Sequence, residues 1–202
     1  DWMAEQSPDV TMMTPAERAD VDGMASAVAS HGPAAEMLRK CCGREVTAIW
    51  YETTPMGVRV ACKARADAIG GGILADLKSM GGRKKFDPRG IASTIAEYGY
   101  AYQMGWYERG LIAAGGDDFT SLDWGWVFVQ SSAPYDVIAA VADDQMQDLG
   151  RWWAQSVWET YASALDSGEW PGVAPELMTV SLPRWAVPVD NEDSDEDYLE
   201  GL

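Results

Sequence analysis

Three consecutive glycines, Gly70 to Gly72, separate two strand-like segments, and no other feature constrains the fold of this chain as strongly. The segments run from Val58 to about Ile69 and from Ile73 to Ser79. Both are rich in alternating apolar and β-branched residues, and glycine supplies the positive φ that a tight reversal needs. The pattern predicts an antiparallel hairpin, preceded by a third strand over Val46 to Glu52. Pairing symmetric about Gly71 and Gly72 sets Asp67 opposite the Asp76 region. Asp76 and Lys78 are two apart and leave one face of their strand, with Ala75 and Leu77 expected to pack on the core side.

The flanking segments predict helices. Thr14-Pro15-Ala16-Glu17 combines a capping threonine, a proline at the first helical position and a glutamate three residues after the cap. The helix should reach about Ser30, with Val21, Met24 and Val28 as its apolar stripe and His31, the only histidine, next on that face. Asp87-Pro88 predicts the start of one long helix to about Ala114, carrying Ile91, Ile95, Tyr98 and Tyr102 along one side. Trp126 to Ser131 and Tyr135 to Val141 form a second strand pair, and a last helix spans roughly Asp143 to Asp166. Its predicted buried face holds Met146, Leu149, Trp153, Val157, Tyr161 and Leu165. The order is an α/β layering with mixed strand pairing. Expected boundaries are an N-terminal extension over 1–13, one domain over 14–189 and an acidic, disordered tail over 190–202.

Composition narrows the function classes. The chain has 202 residues, and no run of about 18 apolar residues or signal-peptide pattern occurs, so a soluble, cytoplasmic protein with no membrane partner is expected. Three cysteines, two of them adjacent at Cys41 and Cys42, leave neither a disulfide framework nor a four-cysteine zinc or iron-sulfur site. No nucleotide-binding phosphate loop and no Gly-x-Ser-x-Gly elbow is present. The net charge is -17, yet residues 39 to 109 hold 12 of the 15 basic residues against seven acids. A basic centre between acidic ends suits a phosphate-rich partner, and a solvated surface fits equally.

Asp67, Asp76 and Lys78 are the candidate chemistry. Two carboxylates brought close repel unless a cation neutralises them, and hard oxygen ligands suit Mg²⁺ or Mn²⁺. The other reading is an Asp76–Lys78 salt bridge on a solvated strand. His31 can be a ligand or a hydrogen-bonded core histidine; Arg65 can reach a phosphate or pair with a carboxylate; Glu52 is a further candidate.

An Asp on one hairpin strand followed by Asp76-Leu77-Lys78 on the next resembles the PD-(D/E)xK nucleases, with Ala66 where the family has proline. Gln103-Met104-Gly105-Trp106-Tyr107 resembles the QxxxY motif of the RecB-like branch. The stretches FDPRG (Phe86 to Gly90), FVQSSAPYDV (Phe128 to Val137) and GEWPG (Gly168 to Gly172) are similar to RecE-like phage and prophage exonucleases of the exonuclease-eight type. The resemblance implies a restriction-endonuclease-like core, a central mixed sheet flanked by helices. It implies a metal held by His31, Asp67, Asp76 and the carbonyl of Leu77, and an attacking water oriented by Lys78. Gln103 and Tyr107 would contact the DNA end, although polar residues closing the helix onto the sheet fit equally; Arg65, of the same strand parity as Asp67, is the further DNA-binding candidate. The implied activity is Mg²⁺-dependent 5'-to-3' degradation of linear double-stranded DNA in phage-type recombination. It would act beside a RecT-like single-strand annealing protein, as a homo-oligomer that can close into a ring, in a bacterial or phage-infected cell. An endonuclease or repair nuclease with the same site, or an inactive DNA-end-binding module, are the alternatives.

Overall fold

The computed structural model describes residues 12–81, 85–170, 172 and 176–183. The acidic tail expected over 190–202 and most of the expected N-terminal extension lie outside these residues, as do Arg83 and Lys84. The chain divides into a unit ending at Ser167 and a second, Gly168–Leu202. The described residues of the second unit contain no helix or strand.

The first unit is an α/β fold in which helices cover both faces of a five-stranded mixed sheet. Helices α1 (Pro15–Ser30) and α2 (Gly32–Lys40) lead into β1 (Gly43–Thr53), β2 (Arg59–Gly70) and β3 (Ile73–Met80). Helices α3 (Pro88–Tyr98) and α4 (Tyr100–Gly115) then cross to β4 (Asp123–Gln130), β5 (Val137–Val141) and α5 (Asp144–Ser167). Strands lie in sequence order, all neighbours antiparallel except the parallel β3–β4 pair. A parallel pair requires a crossover, which α3 and α4 supply.

Local chemistry starts these elements as the sequence predicts. The Thr14 side chain accepts from the Glu17 N–H at 3.2 Å, while the Glu17 carboxylate accepts from the Thr14 N–H at 2.7 Å. Asp87 accepts from the Gly90 N–H at 2.8 Å, and Pro88 opens α3. Gly70, Gly71 and Gly72 all have positive φ, and a Cβ on Gly70 would collide with the Cys42 backbone.

Both sheet faces are dry at β4. Trp124, Trp126 and Phe128 alternate with Val127 and Val129 along β4, and all five are buried. The tryptophan side packs with Trp50, Leu74, Ile91, Ile95, Met104 and Trp158; the valine side packs with Val28, Ala34, Met37 and Ala75.

Four expectations are corrected. A second helix, α2, follows His31 directly, so that histidine caps a helix start as well as ending α1. The long helix expected from Asp87 to Ala114 breaks at Gly99, whose φ of 67° is left-handed. The buried face of α5 is Gln147, Gly150, Ala154, Trp158, Ala162 and Ala164, about one residue's rotation from the predicted stripe; Leu149, Val157 and Tyr161 are exposed. Close packing on α4 demands small residues there, since a Cβ on Gly105 would strike the Gly150 carbonyl. Last, Ala75 is buried but Leu77 is 46% exposed, whereas Asp76 is only 3% exposed. Asp76 and Lys78 share parity with Leu74 and Met80, which belong to the larger core, so the charged pair faces inward beneath α4.

Candidate active site

The site forms where β2 and β3 part company. Their ladder runs from Gly70↔Ile73 to Ala68↔Ala75 and stops. Asp67 and Asp76 are the next positions in that register. Beyond them β2 follows β1, and β3 keeps only β4 beside it. Leu77 has therefore lost a strand partner for its backbone, and the Asp67 carboxylate takes that place, accepting the Leu77 N–H at 2.9 Å. A strand residue's N–H and C=O leave by the same edge, so the Leu77 carbonyl also faces the opening.

Asp76 is the electrostatic centre. Burial pushes its carboxyl up to about 6; the Lys78 ammonium works against this, and the neighbouring Asp67 carboxylate adds to it. Lys78 Nζ lies 2.6 Å from Asp76 Oδ2, but out of line for a hydrogen bond. Oδ2 is thus fully buried, close to one charge, and without an aligned donor. The ammonium instead donates to Gln103 Oε1 at 3.1 Å and sits 4.5 Å from the centre of the Tyr100 ring. Gln103 is held in turn, donating through Nε2 to the Tyr107 hydroxyl at 2.7 Å. One turn of α4 separates Gln103 from Tyr107, which is why the Q-x-x-x-Y spacing joins them.

The other candidates lie elsewhere. His31 Nδ1 accepts from the Ala34 N–H at 3.3 Å, capping α2. A neutral imidazole accepting at Nδ1 carries its proton on Nε2, so the ring cannot cap α2 and offer Nε2 to a metal at once. Among the described residues no three His, Cys, Asp or Glu side chains gather as a metal-binding group. Arg65 pairs with Glu45 on an exposed surface. Glu52 is tied to Arg109 at 2.6 Å and to the Trp50 indole at 2.9 Å, in a structural cluster joining β1 to α4. The residue that the sequence reading missed is Tyr100, and its spacing of three from Gln103 is the signal that could have found it.

The donors present fit a hard divalent cation. A buried carboxylate oxygen lacking an aligned donor, a second carboxylate beside it and a backbone carbonyl at the same opening are all oxygen ligands. Mg²⁺ is commonly bound by one or two carboxylates and completes its shell with water, so no third side chain is demanded.

A scan against protein-family models and a search of curated proteins each gave no match. A solved structure does match: a candidate exonuclease from Eubacterium rectale, with a TM-score of 0.53 and 11% sequence identity. The two proteins share a fold. The likeness covers 82% of this chain, and the chain spans 63% of the length of that protein. At this identity the two share architecture. Among the described residues no helix is long and apolar enough to cross a membrane.

Proposed function

We propose that this chain is a metal-dependent nuclease that hydrolyses phosphodiester bonds in DNA, with Asp67, Asp76 and Lys78 as its catalytic residues. The observation that carries the reading is the buried Asp76 carboxylate at a strand divergence, flanked by Asp67 on one side and Lys78 on the other. An ion-pair network serving the fold alone needs neither a second carboxylate beside the first nor a buried oxygen without an aligned donor. The resemblance of the Asp67 and Asp76-Leu77-Lys78 pattern to PD-(D/E)xK nucleases supports the same reading, as does the fold shared with the candidate exonuclease.

Asp67, Asp76 and the Leu77 carbonyl would hold Mg²⁺ or Mn²⁺, which when bound polarises the phosphate and makes water more acidic. Lys78 has two tasks at this point. Its ammonium places positive charge beside the phosphoryl oxygens as negative charge builds on them, and its N–H groups orient the attacking water. Gln103, held by the Tyr107 hydroxyl, shares the ammonium with Asp76, accepting from Nζ at 3.1 Å while Asp76 Oδ2 lies 2.6 Å away. The half-buried Tyr100 ring lies against the ammonium and packs on the buried Phe128, so that side of the amine is apolar.

In its finer form the reading is a Mg²⁺-dependent exonuclease acting 5'-to-3' on linear double-stranded DNA, working in the cytoplasm with a single-strand annealing protein and assembling as a homo-oligomer. These points rest on the RecE-like resemblance. The test is incubation of 5'-labelled linear duplex and closed circular duplex, with and without Mg²⁺, using Asp76→Ala as control. Metal-dependent release of labelled mononucleotides from the linear form alone, lost in the variant, supports the exonuclease. Nicking of the circle moves the assignment to an endonuclease. Binding of ends without cleavage would leave a DNA-end-binding module.

A further inference from the structure

The break at Gly99 creates an aromatic surface that no role described so far uses. In an uninterrupted helix residues two apart point about 200° away from each other and cannot stack. Here Tyr98, the last residue of α3, and Tyr100, the first of α4, flank the left-handed Gly99. Their rings lie parallel, with centroids 5.6 Å apart and an interplanar angle of 17°. Tyr100 is half-buried and touches Phe128, the register partner of Lys78, and its ring lies against the Lys78 ammonium. Tyr98 sits one ring farther out and is 60% exposed. A stack of two tyrosines thus runs from the surface to the amine beside the proposed scissile position.

We propose that Tyr98 is a nucleobase platform, on which the base adjoining the scissile phosphate stacks while Tyr100 fixes the platform relative to Lys78. The inference rests on the nuclease reading and names what the site grips besides phosphate. Stacking is sequence-tolerant because every base has a π-face, so a platform here positions the strand without selecting its sequence. It also gives the helix break a purpose, since a continuous α3–α4 helix would turn the two rings apart.

Binding is read by fluorescence anisotropy with the full chain, Ca²⁺ replacing Mg²⁺, and the duplex is verified intact on a gel afterwards. One duplex carries intact ends, and a matched duplex has abasic sites in its last two nucleotides on each strand. The expected result is that Tyr98→Ala weakens binding to the intact end roughly 5- to 150-fold. Tyr98→Phe should retain it, and neither substitution should change binding to the abasic end. The unaltered protein should itself prefer the intact end by a similar factor, a comparison that needs no folded variant. Equal losses on both duplexes, or no loss on either, would overturn the proposal. Cleavage of the same intact duplex in Mg²⁺, with Asp76→Ala as control, is scored separately. Asp76-dependent cleavage without coupling between Tyr98 and the base removes the platform alone, whereas absence of both cleavage and binding removes the nuclease reading as well.

Discussion

Replacing Asp76 by asparagine should make the metal-free protein more stable, and increasingly so as pH rises. The Asp76 carboxyl titrates near 6 in the folded chain against 3.8 for an ordinary aspartate, because it is buried and faces Asp67. Between those values the native state binds more protons than the unfolded state, so this group's favourable contribution is complete below about pH 3.8 and is lost as pH rises through 6. At about 1.4 kcal/mol per pH unit, the full loss is roughly 3 kcal/mol. The isoelectric point near 4.2 makes about pH 5 the practical lower limit, where a little over half of the loss has already occurred. Asparagine keeps the shape and removes the charge, and the Lys78 ammonium keeps Gln103 and Tyr100 as neighbours. Urea unfolding in EDTA should therefore show Asp76→Asn ahead of the parent chain by about 1.5 kcal/mol at pH 5 and about 3 kcal/mol at pH 8. In melting temperature the latter is roughly 6–12 °C for a chain of this size. Adding Mg²⁺ should narrow the gap by stabilising only the parent chain. A difference that is flat with pH, or a less stable variant at pH 8, would mean that Asp76 is adequately compensated within the protein, and the case for a cation would fall with it.

Three further outcomes follow from the same contacts. His31→Asn, which can still accept from the Ala34 N–H, should melt close to the parent, while His31→Ala should lose about 1 kcal/mol; a large drop in metal affinity for the asparagine variant, read by calorimetry, would restore the ligand role. Gln103→Ala removes the acceptor that positions the Lys78 ammonium and should lower kcat about 10- to 100-fold with KM little changed, so a change confined to KM would assign Gln103 to substrate binding instead. Arg151→Ala removes the partner of the buried Glu108 carboxylate, which otherwise accepts from Arg151 Nε at 2.6 Å, and should cost about 1–3 kcal/mol in chemical denaturation, the half-exposed arginine leaving room for water to replace it in part.

The hairpin and its acidic register were legible because glycine at three successive positions leaves the chain few alternatives, and the ladder then fixes which residues face each other. The capping box of α1 was legible for the same reason: its two hydrogen bonds depend on residues four positions apart at most. What sequence reading missed depends on partners distant in the chain. The α5 face was misplaced because large apolar side chains were taken for the buried ones. Gly105 and Gly150 bring α4 and α5 so close that only small residues fit between them, leaving Leu149, Trp152 and Val157 outside. The inward direction of Asp76 and Lys78 was hidden likewise, since two charges in a strand read as a solvated face until a helix is known to cover them.

That cover explains why the charged pair belongs to a site and not to the surface. If the β2–β3 ladder continued past Ala68↔Ala75, the Leu77 N–H would be engaged by backbone and Asp67 would have no donor in the sheet plane. If α4 did not lie above β3, Lys78 would extend into water, which would screen its charge. Strand separation opens an edge on which oxygen ligands can converge, and the helix holds the amine beside that edge at low dielectric, where its charge acts most strongly. Burial and the neighbouring Asp67 carboxylate raise the free energy of an ionised Asp76, and the amine offsets only part of that rise. The instability that Asp76→Asn should relieve and the affinity for a divalent cation thus have one source, and a variant that abolished one while keeping the other would separate them.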